Sequence, residues 1–115
     1  MRQYLKSLNS VYRLLILVGM MAVMCIPRGA WAHMLVAQCY VDSQDIVCRG
    51  EYSTGTGAVD LPVEVLDYDD AILTSGKLDA NSEFRFNIPE GDFYVFINGG
   101  VGHTVEIDNI DIDGL

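Results

Sequence analysis

The stretch Leu35–Val36–Ala37–Gln38–Cys39–Tyr40–Val41, Asp42–Ser43–Gln44–Asp45, Ile46–Val47–Cys48–Arg49–Gly50–Glu51–Tyr52 decides the fold class. On one side of the polar tetrapeptide, Leu35, Ala37, Cys39 and Val41 share a parity; on the other, Ile46, Cys48, Gly50 and Tyr52 do. Period-two patterning of this kind marks half-buried strands. Folding the segments into a hairpin about Asp42–Asp45 sets Val41 against Ile46, Cys39 against Cys48 and Leu35 against Tyr52. Every such pair then falls on one apolar face, which is what a correct register requires. Directly opposed cysteines lie within disulfide reach, so Cys39 and Cys48 are expected to be bonded. Ser–Gln is a poor two-residue turn by composition, the weak point of this reading.

The same style continues outward. A Gly/Thr/Ser loop over 53–60 precedes a strand near Leu61 to Asp67; Tyr68–Asp69–Asp70 reads as a turn, with a weaker strand from Ile72 to Leu78. Asp79 to Ser82 is another turn, after which Phe84, Phe86 and Ile88 alternate until Pro89–Glu90–Gly91–Asp92. Phe93 to Ile97 is apolar at both parities and predicts a central strand buried on both faces. Gly99–Gly100–Val101–Gly102 breaks it, and Thr104 to Ile112 predicts a last strand with a bulge where the apolar parity slips between Ile107 and Ile110. Six or seven short strands punctuated by turns predict an all-β sandwich over residues 33–115.

Residues 1–32 read as a secretory signal peptide. Arg2, Lys6 and Arg13 form a basic start without acidic residues, Leu14 to Ile26 is apolar, Pro27–Arg28–Gly29 breaks the run, and Ala30–Trp31–Ala32 has the small-x-small pattern of a cleavage site. Met24 before Cys25 argues against lipid attachment, and the apolar run is shorter than the roughly 20 residues a bilayer span needs. Cleavage after Ala32 would leave a domain of about 80 residues beginning at His33, near the size at which a core alone gives marginal stability. Only Arg49, Lys77 and Arg85 then face the sixteen acidic residues, a net charge of −13. That charge argues against nucleic acid and anionic lipid as partners. A periplasmic or secreted location follows from the leader, permits the disulfide, and leaves no stable membrane span after cleavage.

Chemistry concentrates at the two histidines. An N-terminal His33 would offer its amine and imidazole Nδ1 to close a chelate ring, and the amine ordinarily loses its proton near pH ~8. His103 follows the glycine-rich bend. Three neutral nitrogens suit Ni²⁺, Cu²⁺, Co²⁺ or Zn²⁺, with Cu²⁺ and Ni²⁺ bound most tightly by simple affinity order; two solvated surface histidines are the plainer alternative. Asn109–Ile110–Asp111–Ile112–Asp113–Gly114 imitates a calcium-loop start but lacks the closing glutamate and reads as an acidic tail. Asp67, Asp69 and Asp70 read as turn residues. The glycines of 99–102 have neither a following helix nor a P-loop lysine. No serine or cysteine nucleophile stands out, so an enzyme is not expected. A histidine start plus a second histidine is also how copper-dependent polysaccharide oxidases hold their metal, but no substrate-binding aromatic face is evident.

Ala32–His33–Met34–Leu35, Gly76–Lys77–Leu78–Asp79, Phe84–Arg85–Phe86, Pro89–Glu90–Gly91–Asp92 and above all Ile97–Asn98–Gly99–Gly100–Val101–Gly102–His103 resemble the small extracytoplasmic accessory proteins of nickel/cobalt importers of the energy-coupling-factor type. The middle portion also resembles carboxypeptidase-regulatory-like, or transthyretin-like, modules generally. The first resemblance implies a seven-stranded sandwich that assists Ni²⁺ or Co²⁺ uptake by a membrane importer complex, with His33 and His103 facing the metal. Asn98 stands where an aspartate is common in that family. Some of its members carry a C-terminal membrane helix that this sequence does not show, so docking to a transporter would be non-covalent. The second resemblance implies a protein-interaction or structural module without metal.

Overall fold

The computed structural model describes residues 2–24 and 33–115. Arg2–Met24 is a helix, α1; no helix among the described residues is long and apolar enough to cross a membrane. The expected cleavage motif Ala30–Trp31–Ala32 and Cys25 lie outside the described residues. His33–Leu115 forms a compact unit of its own.

That unit is an all-β sandwich. Seven antiparallel strands, β1 Leu35–Asp42, β2 Asp45–Tyr52, β3 Pro62–Asp67, β4 Ile72–Lys77, β5 Glu83–Asn87, β6 Phe93–Asn98 and β7 Thr104–Asp108, divide into a three-stranded sheet ordered β1-β2-β5 and a four-stranded sheet ordered β4-β3-β6-β7. The founding hairpin has the expected register, from Leu35 opposite Tyr52 to Asp42 opposite Asp45. Its two-residue turn works because Ser43 takes φ +58°, as the first position of a type II′ turn requires. Cys39 and Cys48 are bonded at a Cα–Cα distance of 4.1 Å, and both are buried in the core. Arg85 on β5 ties the tip of this hairpin down, donating to Asp42 at 2.6 Å and Asp45 at 3.3 Å. These pairs are largely solvent-exposed and contribute little to stability.

The inner faces supply the core: Leu35, Cys39, Ile46 and Cys48 from one sheet, Val63, Val65, Phe93, Val95, Ile97 and Ile107 from the other, with Leu78 and Ala58 entering from loops. Phe86 meets Phe93 edge-on across the core, with ring centroids 6.1 Å apart. The segment after β2 is better anchored than its Gly/Thr composition suggests. Ala58 N–H donates to Gly50 O, Asp60 N–H to Leu78 O and Leu78 N–H to Leu61 O, and Ala58 is fully buried.

Three sequence expectations require correction. β6 is central, between β3 and β7, but it is buried on one face only. Phe93, Val95 and Ile97 point inward, whereas Tyr94 and Phe96 are half-buried on the outer face, where Phe96 is flanked by Glu64 and Glu106. An antiparallel sheet needs only one dry face, so a doubly apolar run does not by itself imply two. Val47 does lie on the face opposite Ile46 and Cys48, as its parity implies, and is buried there beside the long side chains of its cross-strand neighbours Tyr40 and Arg85. The strand containing Phe84 and Phe86 stops at Asn87, so Ile88 is not its third alternating member. Finally, the last strand ends at Asp108, and the parity slip beyond it is a 3-10 turn, Asn109–Asp111, whose N-cap Asp108 accepts from Ile110 N–H. The turn carries the chain back to the first sheet. Ile112 enters the core, and Asp113 bonds the edge of β1 through Val41 N–H (2.8 Å) and Cys39 O (3.2 Å). The supposed acidic tail is thus a structural strap that covers part of an otherwise open strand edge.

Candidate metal centre

His33 and His103 line the same cleft, a space of about 410 Å³ whose other walls are Tyr52, Thr54, Thr56 and Gly99. Each arrives by a separate route. His33 precedes β1 and has the parity of Leu35, whose side chain is in the core. His103 closes the β6–β7 turn, in the other sheet. There Gly99 N–H donates to His103 O at 2.8 Å and His103 N–H to Gly100 O at 3.0 Å. Gly100 and Gly102 take φ +99° and +78°, values that L side chains rarely adopt. Gly99 serves differently. A Cβ there would lie 2.6 Å from His103 O and 3.2 Å from both His103 Cβ and Leu35 Cδ2, so its bare backbone is what lets the end of β1 and the histidine turn close on one another.

Asn98, the departure noted in the sequence, turns its Oδ1 back to accept from Gly100 N–H at 2.9 Å. It therefore stabilises the turn that presents His103. His103 itself is partly buried, and its Nδ1 is shielded from solvent with no hydrogen-bond partner. A buried, unsatisfied imidazole nitrogen costs free energy unless something supplies the missing bond. His33 is exposed on the rim. The hydroxyls of Tyr52, Thr54 and Thr56, from the end of β2 and the loop after it, were not singled out by sequence reasoning. Among the described residues no three His, Cys, Asp or Glu side chains gather at a point suited to a metal, so two imidazoles need a donor of another kind.

Two other concavities have different chemistry. A larger one, about 850 Å³, lies along β4 and β5, with Leu73, Phe84, Phe86 and Ile88 among its walls. Its cation, Arg85, is already bonded to Asp42 and Asp45. The other, about 460 Å³, collects Tyr68, Asp70, Tyr94, Glu106, Asp108 and Asp111. Tyr94 donates to Asp70 and Tyr68 to Asp108, each at 2.8 Å. The bond to Asp70, with smaller contributions from desolvation and nearby carboxylates, pushes the Tyr94 phenol up to about 12; the bond to Asp108 raises Tyr68 in the same direction. Asp67 caps its own turn by accepting from Asp69 and Ala71 N–H, the role its turn composition implies.

No family model and no curated protein matches the chain. Among solved structures it is similar to the native alpha-2-macroglobulin of Escherichia coli spanning domains NIE-MG1, with a TM-score of 0.62 at 13% identity over 68% of this chain. The match spans 38% of that structure's chain, and at this identity the likeness is one of fold: a β-sandwich domain.

Proposed function

We propose that the domain is an extracytoplasmic metal-binding accessory protein that captures Ni²⁺ or Co²⁺, with Cu²⁺ also accommodated, and hands it to a membrane importer. The observation that carries this reading is that His33 and His103 line one cleft, with the Nδ1 of His103 shielded and left without a hydrogen-bond partner. Processing after Ala32 would add the α-amine of His33 beside its imidazole. The donor set is then three neutral nitrogens, which favours late first-row ions over Ca²⁺ or Mg²⁺. The buried Cys39–Cys48 disulfide supports an oxidising compartment, and the resemblance of the His33 start and the Gly-x-Gly-His turn to importer accessory proteins supports uptake as the setting. The metal is cargo in this reading, so the site needs to bind and release and calls for no catalytic group.

Calorimetric titration of the processed protein tests it. Binding of Ni²⁺ or Co²⁺ with a dissociation constant well below millimolar is expected, lost in His103→Ala and in a form that carries one extra Met before His33. Absence of binding by the native terminus rejects the proposal. The second reading, a carboxypeptidase-regulatory-like sandwich that makes protein contacts without metal, is favoured by the edge strand β4, where Ile72 and Leu73 are about half exposed, at 57% and 49%. That reading expects a flat titration.

A further inference from the structure

We propose that Ser53 is the positioning residue that holds His33 at the cleft, because its hydroxyl completes a hydrogen-bonded pair that the backbone alone leaves half made. The inference rests on the metal reading for its consequence but not for its geometry. The β1–β2 ladder runs out at Leu35 opposite Tyr52. One step further, Met34 and Ser53 stand in the same register. In an antiparallel pair of the hydrogen-bonded kind the two residues exchange both N–H···O bonds. Here Ser53 N–H donates to Met34 O at 2.8 Å, but the return bond does not go to a carbonyl. The chain is already turning through Ser53 and Thr54, with Gly55 N–H donating to Tyr52 O at 2.8 Å. Met34 N–H instead donates to Ser53 Oγ at 3.1 Å.

The hydroxyl thus extends the ladder past the point where the β2 strand leaves it, and His33 is the next residue out. Tyr52, Thr54 and Thr56, on either side of Ser53 and just beyond it, are the cleft walls that His33 shares. The clamp therefore ties the segment that carries one imidazole to the loop that forms the cleft, while Gly99 brings the other imidazole to the end of β1. Alanine at 53 keeps the backbone bond and removes the side-chain one. Threonine keeps both.

The test compares the processed protein with its Ser53→Ala and Ser53→Thr variants. Proton NMR of the metal-free forms reads whether the His33 ring shows nuclear Overhauser contacts to Tyr52, Thr54 or Thr56. Titration with Ni²⁺ reads affinity, and thermal melting reads stability. The expected result is loss of the ring contacts and about three- to tenfold weaker Ni²⁺ binding in S53A, the range one modest hydrogen bond supplies, with a melting temperature lowered by no more than several degrees and recovery of contacts and affinity in S53T. Unchanged ring contacts in S53A overturn the proposal, as does unchanged affinity where the native protein binds. If the native protein binds no metal, the uptake reading fails, and the ring contacts alone decide the role of Ser53.

Discussion

Reduction of the Cys39–Cys48 bond isolates one contribution to stability with no change of sequence. The cysteines are 9 residues apart, and closing so short a loop restricts the unfolded chain by about 2.6 kcal/mol at 25 °C in the chain-entropy treatment. The native side loses little in return. Both sulfurs sit in the core, with 3% and 0% of the residues exposed, where free thiols pack as small apolar groups, and the hairpin retains its ladder. An 83-residue unit unfolds with an entropy on the order of 0.17 kcal/mol/K near 60 °C, so the loss corresponds to a fall in melting temperature of about 15 °C. Because the bond is buried, the reductant must be added to the unfolded protein and kept present on refolding. Circular dichroism melts of oxidised and reduced protein then give the difference directly. A fall of less than about 5 °C, or any rise, refutes the reasoning; it would mean that the oxidised hairpin is strained or that the reduced unfolded state is already compact.

Gly99→Ala places a Cβ 2.6 Å from the His103 carbonyl and so must shift backbone; about 1–3 kcal/mol of destabilisation is expected from overpacking, together with weaker Ni²⁺ binding, and a variant that melts and binds as the native protein does contradicts the close approach. The phenols give a pH dependence of known sign. Tyr94 holds its proton up to about 12, above the ordinary value near 10 of the unfolded chain, so its contribution to stability is complete below pH ~10 and is lost as pH rises through about 12. Asp70→Gly removes the acceptor and suits the φ of +62° at that position. Ultraviolet titration of the phenolates should show one midpoint moving down toward 10 while that of Tyr68 stays; an unmoved Tyr94 midpoint shows that the bond to Asp70 is not the cause.

What was legible in the sequence follows the range of each signal. The hairpin, its register and its disulfide depend on neighbours within 18 residues, and apolar parity alone specifies them. The turn at Ser43 was legible in place but not in type, because serine gives no compositional sign of a positive φ. The outer row of β6 and the 3-10 turn after β7 were misread for one reason: hydropathy reports that Tyr94, Phe96, Ile110 and Ile112 are apolar, not which of them the opposing layer covers. Ile110 is exposed and Ile112 is buried, a choice made by the strap crossing to β1. The tyrosine–carboxylate cluster was illegible, since its bonds join residues 24 and 40 positions apart with no pattern linking them.

The two histidines lie between these cases. Each was marked by its local setting, His33 by the expected leader boundary and His103 by the glycine turn, yet whether they meet depends on packing between the sheets. Two residues with little side chain of their own make the meeting. Gly99 removes the atom that would hold Leu35 and His103 apart, and Ser53 adds the acceptor for Met34 N–H beside the backbone bond. Neither changes the donor set, so both would pass unnoticed in a search for ligands. Their substitution should alter where the imidazoles stand before it alters what they are, which is why geometry in the metal-free protein, and not affinity alone, is the decisive measurement at this cleft.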